Sequence, residues 1–150
     1  MKPKKLKANI EYTTPHGHVY RTDHKGRIKE VYADDLSLLD GGRNSYAQRT
    51  VGREDRLPDD DGGHLIARGF GGSKDIDNLV PQSKYINRSF KENGEWYNME
   101  KDWQKAIKGG GTIKNIKIEV QYESHSQRPT AFQVKYEMNN KKYERNIENI

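Results

Sequence analysis

A histidine ends an acidic, glycine-rich stretch, Asp61-Gly62-Gly63-His64, and two asparagines, Asn78 and Asn87, follow it ahead of a glutamate, Glu100. Hydrolysis of a phosphodiester needs an activated water, a cation on the developing charge and an acid for the leaving oxygen. A neutral imidazole titrates near working pH, so His64 can act as the base. The two glycines before it let backbone and solvent approach the ring closely. An isolated histidine is more often a core or turn residue satisfied by a carbonyl, and His16, His18, His24 and His125 keep that reading.

The asparagines supply a different chemistry. An amide oxygen is a neutral, hard ligand suited to Mg²⁺, which keeps most of its waters and accepts few protein groups. Asn87 falls in the first turns of a helix, where its side chain can face the His64 strand. Asn78 stands at a strand start after a long loop and reads as a clamp on that loop. Singly, each could be an ordinary cap or turn amide; the order His, Asn, Asn across strand, strand and helix is what makes a site. Glu100 is the best carboxylate on the helical segment. On one unbroken helix it would lie roughly 20 Å from Asn87 and face about 140° away. The Asn93-Gly94 pair between them is a good breaker, and a kink there would let Glu100 hold a metal-bound water. Otherwise it is a solvated helix glutamate.

Arg43, Arg49, Arg53, Arg56, Arg68 and Arg88 flank these residues. One or two of them are expected to hold the scissile phosphate by a bidentate fork. Asp59-Asp60-Asp61 fails the EF-hand pattern because Leu57 occupies an acid position; it reads as a solvated turn, with Asp61 alone near the site. Trp96 and Trp103 read as core rather than as a base-stacking platform.

The elements that must carry these groups follow from periodicity. Ile10 to Tyr12 and Val19-Tyr20 look like strand pieces, and Tyr20 to Ile28 suggests a hairpin turning at Asp23 to Gly26. Residues 44–51 read as a central strand, 52–63 as a loop, 64–67 as a short strand and 68–77 as a flexible loop. Asn78 to Val80 gives another short strand, ended by Pro81. From Ser83 the spacing turns helical through Tyr85, Ile86, Phe90, Trp96, Met99, Trp103 and Ile107, ending at Gly109-Gly110-Gly111. Ile116 to Tyr122 and Phe132 to Met138 alternate apolar and polar residues, which predicts an antiparallel pair.

Composition bounds the function. The 150 residues are the size of one domain, with 31% hydrophobic and 33% charged, so the core is small and the surface very polar. We expect residues 1–8 to be a linker or tail and 9–150 a single domain with its site at about 43–108. The net charge of +5 and a pI near 9.3 suit a polyanionic partner. Absent cysteine excludes disulfides, a thiolate nucleophile and Cys-ligated zinc. The basic N-terminus lacks an apolar region of the Sec type, and no apolar run approaches membrane-spanning length.

Together these residues resemble the DNA/RNA non-specific endonucleases, a branch of the ββα-metal nucleases. Asp61-Gly62-Gly63-His64 is similar to their Asp-Arg-Gly-His motif, and the likeness runs through Asn78-Leu79-Val80-Pro81-Gln82, Asn87-Arg88 and Trp96 to Glu100. Gly62-to-Ala67 and Phe70-Gly71-Gly72 further resemble the bacterial toxin subgroup, often the C-terminal domains of type VII-secreted LXG proteins. The resemblance implies an α+β fold with a ββα-metal core and flanking antiparallel strands. It also implies His64 as general base, Asn87 as direct Mg²⁺ ligand (Mn²⁺ as a substitute), Glu100 as a ligand through water and Asn78 as a site-organising amide. Arg43, Arg53, Arg68 and Arg88 become the candidates for phosphate binding, Arg43 by loose alignment with the family's arginine. Gly62 departs from the motif's arginine, leaving Arg53 or Arg68 to compensate. The implied substrate is DNA, with RNA as a second one, and the implied protein partner is a cognate immunity protein. The implied route is secretion as part of a larger toxin that acts in a target-cell cytoplasm. The competing readings are a catalytically decayed basic nucleic-acid-binding module and a purely structural interaction domain.

Overall fold

The computed structural model describes residues 5–39, 45–89, 91 and 93–150. Its elements in chain order are β1 (Glu11–Thr13), β2 (Val19–Thr22), β3 (Ile28–Asp35), α1 (Ser45–Thr50), β4 (Asp60–His64), β5 (Leu79–Ser83), α2 (Lys84–Asn87), α3 (Glu95–Lys108), β6 (Ile113–Tyr122), β7 (Pro129–Met138) and β8 (Lys141–Glu148). Six strands form one antiparallel sheet in the order β1-β2-β3-β6-β7-β8, and β4 and β5 pair separately as a two-stranded ribbon. This is a mixed α+β fold of the expected class.

The sheet is organised by the alternation in β6 and β7. Ile118 lies opposite Val134 and Val120 opposite Phe132, so successive apolar side chains reach the same face. Helix α3 covers that face with a stripe spaced i, i+3, i+7, its buried Trp96, Met99 and Trp103. The Trp96 ring meets Phe132 edge-on at 5.1 Å, and Trp103 meets Tyr136 at 5.2 Å. Both tryptophans are therefore core, as their spacing indicates. Glu95 in the first turn and Lys105 and Lys108 in the last suit the helix dipole. Before the hairpin, Leu6 packs against the core and Thr22 Oγ1 donates to the Lys7 carbonyl at 2.6 Å. The chain is thus laid onto the sheet already within the stretch drawn as a tail.

Four expectations about the elements are corrected. Residues 45–50 are helical rather than a central strand: Ala47 is buried, and Arg56 donates to the Gln48 and Val51 carbonyls at the end of the helix, where such groups lack partners. The first strand of the ribbon begins at Asp60, inside the expected loop, and ends at His64, while Leu65 and Ile66 bend away onto Asn78. Pro81 lies within β5, opposite Gly62; each strand of a two-stranded ribbon has an unpaired side, which tolerates proline. The helical stretch is two helices, α2 and α3. Beyond these, β8 adds a strand after a turn at Asn139 and Asn140, both at positive φ.

Candidate active site

The ribbon carries Asp61 and His64, and Gly62 sets how the neighbouring helix lies on it. A Cβ there would stand 2.3 Å from the Gln48 carbonyl oxygen, so α1 crosses the ribbon at a distance only glycine permits. Gln48 Nε2 donates to the Gly62 carbonyl at 3.3 Å, and Arg56 bridges from α1 to the Asp60 carbonyl at 2.8 Å. The position of the family motif's arginine is thus taken by helix backbone. Asp60 anchors the ribbon from beneath. Its buried carboxylate accepts a fork from Arg128 at 2.7 and 3.0 Å and the Leu57 amide at 2.8 Å. This corrects the solvated-turn reading of Asp59 to Asp61: Asp59 is exposed and pairs with Lys84 at 3.2 Å, while Asp60 is structural.

His64 is half-buried at the end of β4, opposite Leu79. The chain just after it is held by Asn78, which is fully buried. Asn78 Oδ1 accepts from the Ile66 amide at 2.9 Å and the Tyr20 hydroxyl at 2.7 Å. Its Nδ2 donates to the carbonyls of Ile66 at 2.6 Å and Ser73 at 2.8 Å. All four bonds a side-chain amide can make are used, so Asn78 positions the His64 loop and has no lone pair left for a substrate. Tyr20, missed in the sequence, belongs to this arrangement. It lies 58 residues upstream of Asn78, and nothing local in its strand announces the contact.

Asn87 ends α2, and its Nδ2 donates to Asp61 Oδ2 at 3.0 Å. A carboxylate only accepts, so this bond fixes which way the amide faces and turns Oδ1 away from Asp61, available as a hard ligand. Arg88 grips the same carboxylate with Nε at 3.0 Å and a second nitrogen at 2.6 Å. Burial works against the Asp61 charge. The hydrogen bonds from Arg88 and Asn87, with the charges of Arg88 and Arg56, outweigh it and hold the carboxyl below its usual range. His64 lies three residues further along β4, about 10 Å of extended chain.

Glu100 follows on α3, which is joined to α2 through Gly94. A Cβ at Gly94 would fall 1.8 Å from the Arg88 carbonyl, so the break after α2 folds the chain tightly before α3 departs, and the two helices pack together. Burial pushes the Glu100 carboxyl up to about 8, although the residue keeps some exposed surface. An enclosed acid with no cation beside it behaves this way. By their chemistry, the amide oxygen of Asn87 and the acid of Glu100 would suit a hard divalent ion that keeps several waters. Among the described residues no three His, Asp or Glu side chains gather into a cage.

The candidate arginines separate. Arg88 reaches the cluster through Asp61. Arg68 donates to the Gly72 carbonyl and closes the loop after His64. Arg53 lines a different cavity, of about 340 Å³, with Pro81, Tyr122 and His125. Arg43 lies outside the described residues. Beside Asp61 opens a cleft of about 640 Å³, whose walls include Arg49, Arg56, Asn87, Arg88 and Tyr97. Arg49 and Arg56 follow Gln48 on the segment that crosses Gly62, a placement visible only once residues 45–50 are helical.

Comparison with known proteins gives this geometry its family. A family model for DNA/RNA non-specific endonuclease matches residues 8–140. The type VII secretion system protein EssD of Staphylococcus aureus strains USA300 and NCTC 8325 is 73% identical over the whole chain. The chain spans about a quarter (24%) of the length of these relatives. Among solved structures, NucA from Streptococcus agalactiae with a magnesium ion bound aligns over 98% of this chain and 76% of its own, with TM-score 0.67 and 17% identity. The Sda1 nuclease with a bound zinc ion aligns over 88% and 75%, with TM-score 0.66 and 13% identity. The shared fold, with the family match across nearly the whole described chain, leads to one conclusion: the chain belongs to the DNA/RNA non-specific endonuclease family.

Proposed function

We propose that this chain is the metal-dependent nuclease domain of a type VII-secreted toxin, cutting DNA, and RNA as a second substrate, with little regard for sequence. The observation that carries the reading is the Asp61–Asn87 bond, because it turns the Asn87 amide oxygen at the end of α2 away from the carboxylate and leaves it suited to a hard metal ion. His64 takes the proton of a water as its oxygen attacks phosphorus, and the opposite P–O bond breaks. A bound Mg²⁺, held at Asn87 and through water at Glu100, would supply charge stabilisation to the phosphorane and the leaving oxygen. Asn78 keeps the His64 loop in place, Arg88 reaches the site through its fork on Asp61, and Arg43 is the further candidate for the phosphate. Residues 9–150 act as one domain. The +5 charge fits binding through phosphates.

The kinship with secretion-system proteins supports export as part of a longer chain, action in a target-cell cytoplasm and restraint by an immunity protein. No helix among the described residues is long and apolar enough to cross a membrane. The test is cleavage of supercoiled plasmid and of RNA, with Mg²⁺ and with EDTA, by wild type and His64→Ala. A general base contributes about two to four orders of magnitude. Near-wild-type turnover in the variant removes His64 from that role, and full activity in chelator removes the metal.

A further inference from the structure

We propose that the cleft beside Asp61 is a nucleotide subsite in which Arg49 takes a phosphate and the Tyr97 ring stacks an unpaired base. This rests on the nuclease reading and names the form of substrate the cleft receives. Among the arginines of the cleft, Arg56 is committed to the carbonyls of Gln48, Val51 and Asp60. Arg88 is forked onto Asp61. Arg49, exposed in the last turn of α1, makes no hydrogen bond or ion pair with any described residue, although it lines the same cleft. A guanidinium left uncommitted in such a cleft is the group a phosphate would engage.

Tyr97 supplies the second half. It neighbours the buried stripe of Trp96, Met99 and Trp103, which holds its helix rigid, yet it is only half-buried itself. Its hydroxyl bonds no described residue. Its ring has the Lys101 ammonium 5.6 Å from the centroid and lines the cleft. Tyr97 is three residues before Glu100 on α3, so ring and carboxylate lie on adjoining parts of one helix surface. A half-exposed aromatic on a rigid element, set among cations, is the arrangement by which proteins hold single strands: bases stack on the ring and cations follow the phosphates. A paired duplex keeps its bases in their own stack and cannot offer one to Tyr97. The subsite is therefore fitted to single-stranded or locally unpaired stretches of the nucleic acid.

The experiment uses the chain carrying His64→Ala, in EDTA, with fluorescence anisotropy on three probes: a short oligothymidylate, the same strand annealed as duplex, and an abasic strand of equal length. Tyr97→Leu keeps apolar bulk without a π-face; it should weaken oligothymidylate binding by about fivefold or more, from the worth of one base–aromatic stack. It should leave the duplex and the abasic strand within about twofold, and Tyr97→Phe should bind as Tyr97 does. Arg49→Ala should weaken all three probes alike and reduce the salt dependence by about one phosphate contact. Unchanged oligothymidylate affinity in Tyr97→Leu, or an equal loss on the abasic strand, overturns the stacking role. Unchanged affinity and salt slope in Arg49→Ala overturn the phosphate role. Melting curves of each variant report whether the fold is retained, and Tyr97→Phe tests the ring by itself. Failure of wild type to cleave in Mg²⁺ would sink the nuclease reading without touching these binding ratios.

Discussion

Replacing Glu100 with glutamine separates the metal-site reading from a merely structural one. The folded protein holds the Glu100 carboxyl at about 8, against 4.5 for the unperturbed group. Between those values the folded chain keeps a proton that the unfolded chain has released, so stability falls as pH rises through that window. At 1.36 kcal/mol per pKa unit the loss is on the order of 4 kcal/mol by about pH 8, an upper bound because the side chain retains some contact with water. Glutamine is neutral throughout and close in shape, so Glu100→Gln should melt with wild type near pH 5 and above it near pH 8. The gap should be up to about 16 °C, taking 2–4 °C per kcal/mol for a chain of this size. Adding Mg²⁺ near pH 8 should then raise the melting temperature of wild type more than that of Glu100→Gln, because a cation beside the carboxyl favours its charged form. The assay is differential scanning fluorimetry of the metal-free proteins over a pH series, repeated with the ion. Coincident melting curves near pH 8 would mean that Glu100 ionises freely, and the account of an enclosed acid awaiting a cation would be wrong.

Three other perturbations test neighbouring parts of the site. Asn87→Ala should raise the Mg²⁺ concentration needed for half-maximal cleavage by at least tenfold while leaving substrate affinity in EDTA within about twofold, since one protein ligand is lost from a sparse set; an unchanged Mg²⁺ titration would exclude Asn87 as a ligand. Gly62→Arg, which restores the family motif, should destabilise the fold by about 1–3 kcal/mol or more, because its Cβ meets the α1 backbone. A wild-type melting temperature in Gly62→Arg would show that α1 does not lie across the ribbon. Tyr20→Phe removes one of four bonds to a buried amide, at about 1–3 kcal/mol. It should lower kcat more than it changes KM, through a less fixed His64 loop; loss of stability with no change in kcat would confine Tyr20 to the core.

How far the sequence reached depended on whether a signal was local. The β6–β7 pair and the tryptophan stripe of α3 rest on strict periodicity, and the observed burial follows it residue by residue. Even there, a bulge at Asn115, with φ 51°, lets Ile113 and Ile116 both turn inward, so the strand begins earlier than alternation suggests. Residues 45–50 had no such guide. Six residues with one buried alanine carry too little pattern, and the helix is held by Arg56 and by the absence of a side chain at Gly62, both outside its own window. β8 was missed because it is an edge strand exposed on both sides apart from Arg145 and Ile147; its signal was the Asn139-Asn140 turn, a pair suited to the positive φ of a tight hairpin.

The site divides along the same line. His64, Asn78 and Asn87 stand in a short, ordered motif, whereas what organises them comes from far away in sequence: Tyr20 to Asn78, Arg128 to Asp60 and Asn149 to the ribbon. Asn149 accepts from the Ser83 amide at 2.7 Å and donates to the Pro81 and Pro129 carbonyls at 3.1 and 2.8 Å. Asp61 is the instructive case. In the sequence it is the last of three aspartates, and only the folded ribbon separates them: one pairs on the surface, one anchors the interior, and one orients Asn87. This carboxylate thus acts on the amide that is proposed to hold the ion. The proposed metal site would be specified less by its ligands than by the residues that aim them, which is why the motif could be read from the chain and its geometry could not.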